Sequence, residues 1–349
     1  MNINFLLNNK LSNDIAIDIG ADSTKIFMRD EGIVLDEPSY IAYDNFTKKI
    51  VAIGKEAYEM LGKTPRAINV EKPIVRGIVA DFELAVELIK RFIQKVYSKT
   101  VLKPRIITSV PSGSTEVEKR AITNVLEASG AREVYLIEEP LSAASGAGCD
   151  ISLARGMLIA DIGDARCDVA SISLGNSVIS KSTTTAGEEF TKNIIDYVKT
   201  KYNTVIGYTV AKDIKHQIGC AYPFEYQKFI SVYGCDATSG RPTSVNIGSE
   251  EIRDLLYPKL KEIANLIISV LEETPTALQS DILEDGVLIT GGSAYLYGIE
   301  KLLRNETGLK VYIAEDPDKC VIKGMGQELL KFDLSNAPSE KYYYSLNKF

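Results

Sequence analysis

The sequence predicts an α/β protein built from two similar domains, and three observations predict it. A buried strand ending in Asp-Ile-Gly occurs twice, as IAIDIG (15–20) and LIADIG (158–163), at an offset of 143. A polar loop and a strand–glycine–strand hairpin follow each copy, KIFMRDEGIVLDEP and then DVASISLGNSVISKS, and the same offset carries Gly32 onto Gly175. Each half also holds an apolar strand that passes through a glycine turn into a helix. A duplication of this kind predicts a ligand held between the two loops, because clefts between domains are the usual small-molecule sites.

The elements follow in order. In RIITSVPSGSTEVEKRAITNVLEASGA (105–131), Thr115 and Glu118 form a capping box, Val117, Ala121, Ile122 and Val125 share a face, and Gly130 ends the helix. In GVLITGGSAYLYGIEKLLRNETGL (286–309) the plan recurs, with Gly291 and Gly292 at the turn. Backbone N–H groups at such turns form natural anion sites, although many α/β connections look alike. Asp81 caps a helix with Ala85, Leu88, Ile89, Phe92, Ile93 and Val96 on one face. Ser249–Glu273 is a second long amphipathic helix, expected to bend at Pro258.

Bulk properties exclude several functions. The chain has 349 residues, 45% hydrophobic and 25% charged, which predicts about two ordered domains. A net charge of −7 argues against a nucleic-acid partner. No apolar run reaches the roughly 20 residues of a membrane span, and the start MNINFLLNNK lacks signal-peptide form. Five cysteines without metal spacing predict reduced thiols in the cytoplasm. With one histidine, His216, a metal cluster or a Ser-His-Asp triad is hard to assemble.

Several segments, in order, resemble the MreB family of bacterial actin-like cytoskeletal proteins over nearly the whole chain. They include GIVLDEPSY (32–40), VAIGKEAYEMLGKTP (51–65), VPSGSTEVEKRA (110–121), AREVYLIEEPLSAASGAG (131–148), SKSTTTAGEEF (180–190), DIKHQIG (213–219) and LITGGSAYLYGIEKLL (288–303). The resemblance implies an actin-like pair of ribonuclease-H-like domains, with a nucleotide cleft between them and two smaller subdomains. The first domain is expected at 1–33 and 77–150 with its subdomain at 34–76. The second is expected at 151–183 and 257–349, its end returning toward the first, with its subdomain at 184–256. The chain is similar to the divergent paralogues of wall-less helical bacteria, which are tied to shape and swimming. The implied assembly is a double, antiparallel protofilament built by head-to-tail contacts, which do not close on themselves.

The implied cofactors are ATP or ADP with Mg²⁺. Asp18 and Asp161 would hold the metal through water, since Mg²⁺ keeps much of its hydration shell. The loop Gly20, Ala21, Asp22, Ser23, Thr24 would offer backbone N–H groups and two hydroxyls to the phosphates. Lys25 would add charge there, as conventional actin's lysine does; otherwise it is an exposed strand residue. The second phosphate loop is Gly163, Asp164, Ala165 and Arg166. Base and ribose positions fall on Gly187, Glu188, Asp213, Lys215, His216 and Gln217, and on Gly291, Gly292, Ser293 and Ala294. Gln217 stands where the family generally has Glu. For His216 a surface position on a helix stays open, because one turn of side chains cannot all reach a ligand.

The loop DIGDARCDV (161–169) departs from the family's DIGGGTTEV, with Arg166 and Cys167 in place of two threonines. In the family a threonine there orients the attacking water together with a glutamate, here Glu138 or Glu139. Losing one orienting group commonly costs about 10²-fold, so ATP hydrolysis is expected to be slow. Arg166 could instead compensate as arginine fingers do, strengthen only ground-state binding, or face solvent. Rival readings are a non-enzymatic filament subunit and a sugar- or acetate-kinase-like phosphotransferase, for which no acceptor-site carboxylate motif is found. Expected partners are the chain itself and other MreB paralogues, with no nucleic acid. Membrane contact is expected to be weak or absent: NFLL (4–7), Tyr97, Val101 and Leu102, and tail tyrosines with Lys341 and Lys348 offer little anchorage. A place beneath the cell membrane stays open.

Overall fold

The computed structural model describes residues 14–75, 77–97 and 103–331. NFLL, Val101, Leu102 and the tail with Lys341 and Lys348 lie outside the described residues. The chain divides into two compact units, Met1–Asp150 with Lys319–Phe349, and Ile151–Asp318.

In the first unit β1 (Ile15–Ile19), β2 (Ser23–Met28) and β3 (Gly32–Pro38) form an antiparallel meander, with the turn into β3 made at Gly32, φ +77°. A small three-stranded sheet follows from β4 (Ile41–Asp44), β5 (Ile50–Ile53) and β6 (Ile68–Glu71), packed with α1 (Lys55–Glu59). After the pair β7 (Ile74–Val75) and β8 (Ile78–Val79) comes α2 (Phe82–Val96), where Asp81 accepts the Leu84 N–H as its cap. Strand β9 (Arg105–Val110) leads to α3 (Glu116–Ala128), and β10 (Glu133–Glu138) leads to α4 (Glu139–Gly146). The Thr115–Glu118 capping box is present. Val117, however, is 78% exposed, because its first-turn position falls off the stripe of Ile122, Val125 and Leu126. The main sheet has the order β10-β9-β1-β2-β3, and Ile15, Ile17, Ile26, Ile106, Leu88 and Phe92 fill its core.

The second unit repeats this sheet strand for strand. Strands β11 (Met157–Ile162), β12 (Cys167–Ser173) and β13 (Asn176–Thr183) form the meander, with Gly175 at φ +72° in the turn. Then follow α5 (Gly187–Tyr202), β14 (Thr204–Val205), α6 (Tyr208–Ile218), β15 (Phe229–Asp236) and β16 (Pro242–Gly248). Helix α7 (Ser249–Glu273) runs unbroken through Pro258, so the subdomain edge expected at 256 falls inside it. Helix α8 (Thr276–Asp285), β17 (Val287–Thr290), α9 (Ile299–Thr307) and β18 (Val311–Ile313) complete the unit. Its sheet order is β13-β12-β11-β17-β18.

The hairpins superimpose in register as well as in sequence. Asp18 pairs with Lys25 and Ile19 with Thr24; at the 143-residue offset, Asp161 pairs with Asp168 and Ile162 with Cys167. The last helix, α10 (Cys320–Lys331), packs against α4 in the first unit. Glycine is required at that crossing: a Cβ on Gly146 would lie 1.8 Å from the Cys320 carbonyl oxygen, and one on Gly324 1.9 Å from that of Ser142.

Candidate nucleotide site

In the second unit, four separated stretches of chain converge at the carboxyl ends of β11 and β17, where parallel strands generally receive ligands. The Gly163 N–H donates to the Arg166 carbonyl at 2.9 Å, closing the loop that follows β11. The Asp164 carbonyl accepts the Glu188 N–H at 2.6 Å, joining that loop to the N-terminus of α5. The Ser293 hydroxyl donates to the Gly163 carbonyl at 2.7 Å. From α6, Lys215 Nζ donates to the Gly187 carbonyl at 2.7 Å and stands 3.8 Å from Asp164 Oδ1.

Gly187 sits at the centre of this cradle. A Cβ there would lie 2.9 Å from Ser293 Oγ, 3.0 Å from Asp164 Oδ1 and 3.2 Å from Lys215 Nζ. Gly291 adopts φ +84°, and a Cβ on it would meet the Ile162 carbonyl oxygen at 2.4 Å. The turn it makes continues as a short 3₁₀ segment, Gly292–Tyr295, and the α-helix begins only at Ile299, later than the direct strand–turn–helix expected. Gly292 is exposed and Ala294 is buried. On α6, Lys215 reaches the Gly187 carbonyl, whereas Asp213, His216 and Gln217 are exposed. The structure therefore gathers Gly163, Asp164, Gly187, Glu188, Lys215, Gly291 and Ser293, and leaves Asp213, His216 and Gln217 exposed on α6 beside Lys215.

The loop residues face in different directions. Cys167 is fully buried in the core of the second unit, and burial raises its thiol pKa well above the ordinary value, with Asp168 and Asp161 adding to the effect. Ala165 is buried as well. Of the two threonine-replacing residues only Arg166 reaches the loop surface. Its Nη2 lies 3.4 Å from Asp168 Oδ1. Asp161 at the end of β11 is 5% exposed and accepts the Thr290 hydroxyl at 2.6 Å.

In the first unit, the matched loop leaves β1 at Gly20, where a Cβ would meet the Ser23 carbonyl at 2.7 Å. Ala21, Asp22 and Ser23 are partly exposed. Thr24 is fully buried and its hydroxyl shares a 2.9 Å hydrogen bond with Ser39, whose own hydroxyl donates to the Gly20 carbonyl. Its hydroxyl thus braces the loop from below, since even positions on this strand face the interior. Lys25 is 7% exposed, which removes the exposed-strand alternative; its Nζ donates to Ser23 Oγ at 2.8 Å and lies 3.8 Å from Asp36. Asp18 beside it is buried, and desolvation raises its pKa against the lowering effect of Lys25. Glu138 ends β10 and Glu139 begins α4, both partly buried at the same carboxyl-end edge of the sheet as Asp18. The bracing serine, Ser39, is a member of the loop that sequence reasoning missed; the only signal was its place in a β-rich segment after Pro38.

The family model described as MreB/Mbl protein matches residues 12–337. The cell shape-determining protein MreB of Escherichia coli (strain K12) is 41% identical over 329 residues, 93% of this chain and 95% of its own length. Two crystal structures of MreB5 of Spiroplasma citri, one bound to AMPPNP and one to ADP, match with TM-score 0.89 at 36% identity. The AMPPNP form covers 93% of this chain and 98% of its own. A MamK double helical filament matches with TM-score 0.76 at 17% identity, covering 91% of this chain and 99% of its own, a likeness of fold. The fold is actin-like.

Proposed function

The chain belongs to the MreB/Mbl protein family, and we propose that it is an adenine-nucleotide-binding subunit that polymerises into filaments for cell shape or motility and hydrolyses ATP slowly. The observation that carries the reading is the cradle around Gly187: small residues that admit a ligand closely and a lysine ammonium beside them suit a nucleotide. The nucleotide-bound MreB5 structures support it. In this reading Gly20–Ser23 with Lys25 and Gly163–Arg166 are the phosphate loops. Gly187, Glu188, Asp213, Lys215, His216 and Gln217, with Gly291–Ala294, serve base and ribose.

Each unit carries a buried carboxylate near the end of its first strand, Asp18 in the first and Asp161 in the second, and each is a hard oxygen donor of the kind that suits a hydrated Mg²⁺. The ion would neutralise phosphate charge; Thr290 orients Asp161 for it. A small subdomain at 34–76, a second from 184 to the start of α7, and antiparallel double protofilaments belong to the same proposal, as does association with paralogues. No helix among the described residues is long and apolar enough to cross a membrane.

Slow hydrolysis follows from Arg166 standing where an orienting hydroxyl is expected, while Glu138 and Glu139 are kept. The test is phosphate release from the purified chain with Mg·ATP, beside sedimentation with ATP and without nucleotide. Near-zero release with ATP-promoted pelleting supports the proposal. Brisk release would refute slow turnover, and pelleting indifferent to nucleotide would refute the coupling of nucleotide to assembly.

A further inference from the structure

Resting on the nucleotide-binding reading above, we infer that Asp168 is a positioning residue for Arg166, and that this pair makes the second loop discriminate a triphosphate nucleotide from a diphosphate. At the 143-residue offset, Ser23 corresponds to Arg166 and Lys25 to Asp168. The contact between the two positions is kept in both copies, Lys25 Nζ to Ser23 Oγ at 2.8 Å and Arg166 Nη2 to Asp168 Oδ1 at 3.4 Å. Its polarity is reversed. In the first copy the cation rises from the strand; in the second the strand supplies the anion and the loop supplies the cation.

The reversal has an electrostatic reason and a consequence. Asp168 is 1% exposed, is held by the Ser182 hydroxyl, and is the cross-strand partner of the buried Asp161. Two buried carboxylates at adjacent positions of one strand pair require a nearby positive charge, and Arg166 is a cation in contact with Asp168. That contact is longer than the 2.7–2.9 Å typical of a charge-assisted hydrogen bond. Arg166 Nε is buried with no hydrogen-bond partner, and the side chain keeps 24% exposure. The guanidinium is therefore anchored at one nitrogen and has donors to spare. A planar fork with free donors at the rim of a phosphate loop suits a terminal phosphoryl group.

The experiment uses the full chain with Mg²⁺ and reads dissociation constants for AMPPNP and ADP by competition against a fluorescent adenine nucleotide, with thermal melting recorded for each protein. Arg166→Ala is expected to weaken AMPPNP about tenfold and ADP less than twofold. Arg166→Lys, which keeps charge without the fork, should retain part of the preference. Asp168→Asn, with Arg166 intact but unanchored, should also lower the AMPPNP-to-ADP preference. An unchanged ratio in Arg166→Ala, or equal weakening of both ligands in a protein that melts normally, would overturn the inference. A raised preference in Asp168→Asn would overturn the positioning role of Asp168. Should Asp168→Asn fail to fold, the two Arg166 variants decide. Failure of the parent protein to bind either nucleotide would sink the nucleotide reading itself, a distinct outcome.

Discussion

Lys215 and Asp164, 51 residues apart in sequence, meet with Nζ 3.8 Å from Oδ1, and the same ammonium donates to the Gly187 carbonyl at 2.7 Å. One side chain thus ties helix α6 to the loop after β11 and to the start of α5. Lys215→Ala removes both contacts and a positive charge from the cradle. The expected result is nucleotide binding weakened about tenfold or more, measured by titration, with a small loss of Tm.

Asp18 should act in opposite senses on stability and on binding. Its folded pKa is raised by burial, against the lowering effect of Lys25, so folding favours the protonated form more than the unfolded chain does. The contribution is therefore greatest below the ordinary value of 3.8 and is lost as pH rises through the folded value. Asp18→Asn should melt higher than the parent at neutral pH without nucleotide, by about 2 °C or more, and should lose Mg²⁺-dependent nucleotide binding. Calorimetry with and without Mg·ADP checks both halves.

The direction of Cys167 separates the two loop substitutions. Because its thiol lies in the core, Cys167→Thr should leave phosphate release within about twofold and cost about 1 kcal/mol of stability for burying a hydroxyl. Arg166→Thr places a hydroxyl on the loop surface and should raise release by about tenfold to 10²-fold. A larger gain from the Cys167 variant would show that the core-facing position is the one that matters.

Glu251 holds the C-terminal end of α5 to the start of α7. Its carboxylate accepts the Gly248 N–H, both Tyr197 and Tyr202 hydroxyls at 2.6 and 2.8 Å, and Lys201 Nζ at 2.7 Å. These donors outweigh desolvation and lower its pKa from 4.5 to about 2. A depressed carboxylate adds stability above the ordinary value, and that stability is lost as pH falls toward 2. Glu251→Gln should cost about 2 kcal/mol at pH 7 and flatten the acid limb of the Tm–pH curve.

Thiol accessibility gives a check independent of nucleotide. Cys235 is exposed on β15, whereas Cys167, Cys220 and Cys320 are buried, and desolvation lifts Cys220 to about 11. Cys235 should alkylate first with iodoacetamide and the three buried thiols only on unfolding, as read by peptide mass spectrometry.

Much of the fold was legible because its signals are local. Strand alternation, the positive-φ glycines Gly32 and Gly175, the Asp81 cap and the Thr115–Glu118 box each depend on a few neighbouring residues. Val117 was misread because helical spacing identifies a stripe but does not say where the covering element stops.

The sequence by itself determined the duplication, the elements around each Asp-Ile-Gly, and the identity of the loops, since a hairpin and its turn are specified within about twenty residues. Only the tertiary structure decided which side chains those loops present. Thr24 and Cys167 turn inward, Lys25 is buried beside Asp18, and Arg166 is anchored by Asp168. Lys215 finds a carbonyl that its own helix does not contain, while Asp213, His216 and Gln217 stay exposed. The physical reason is that a side chain's direction depends on strand parity and helix phase relative to the elements packed above it. Those neighbours come from distant parts of the chain, so no local pattern records them.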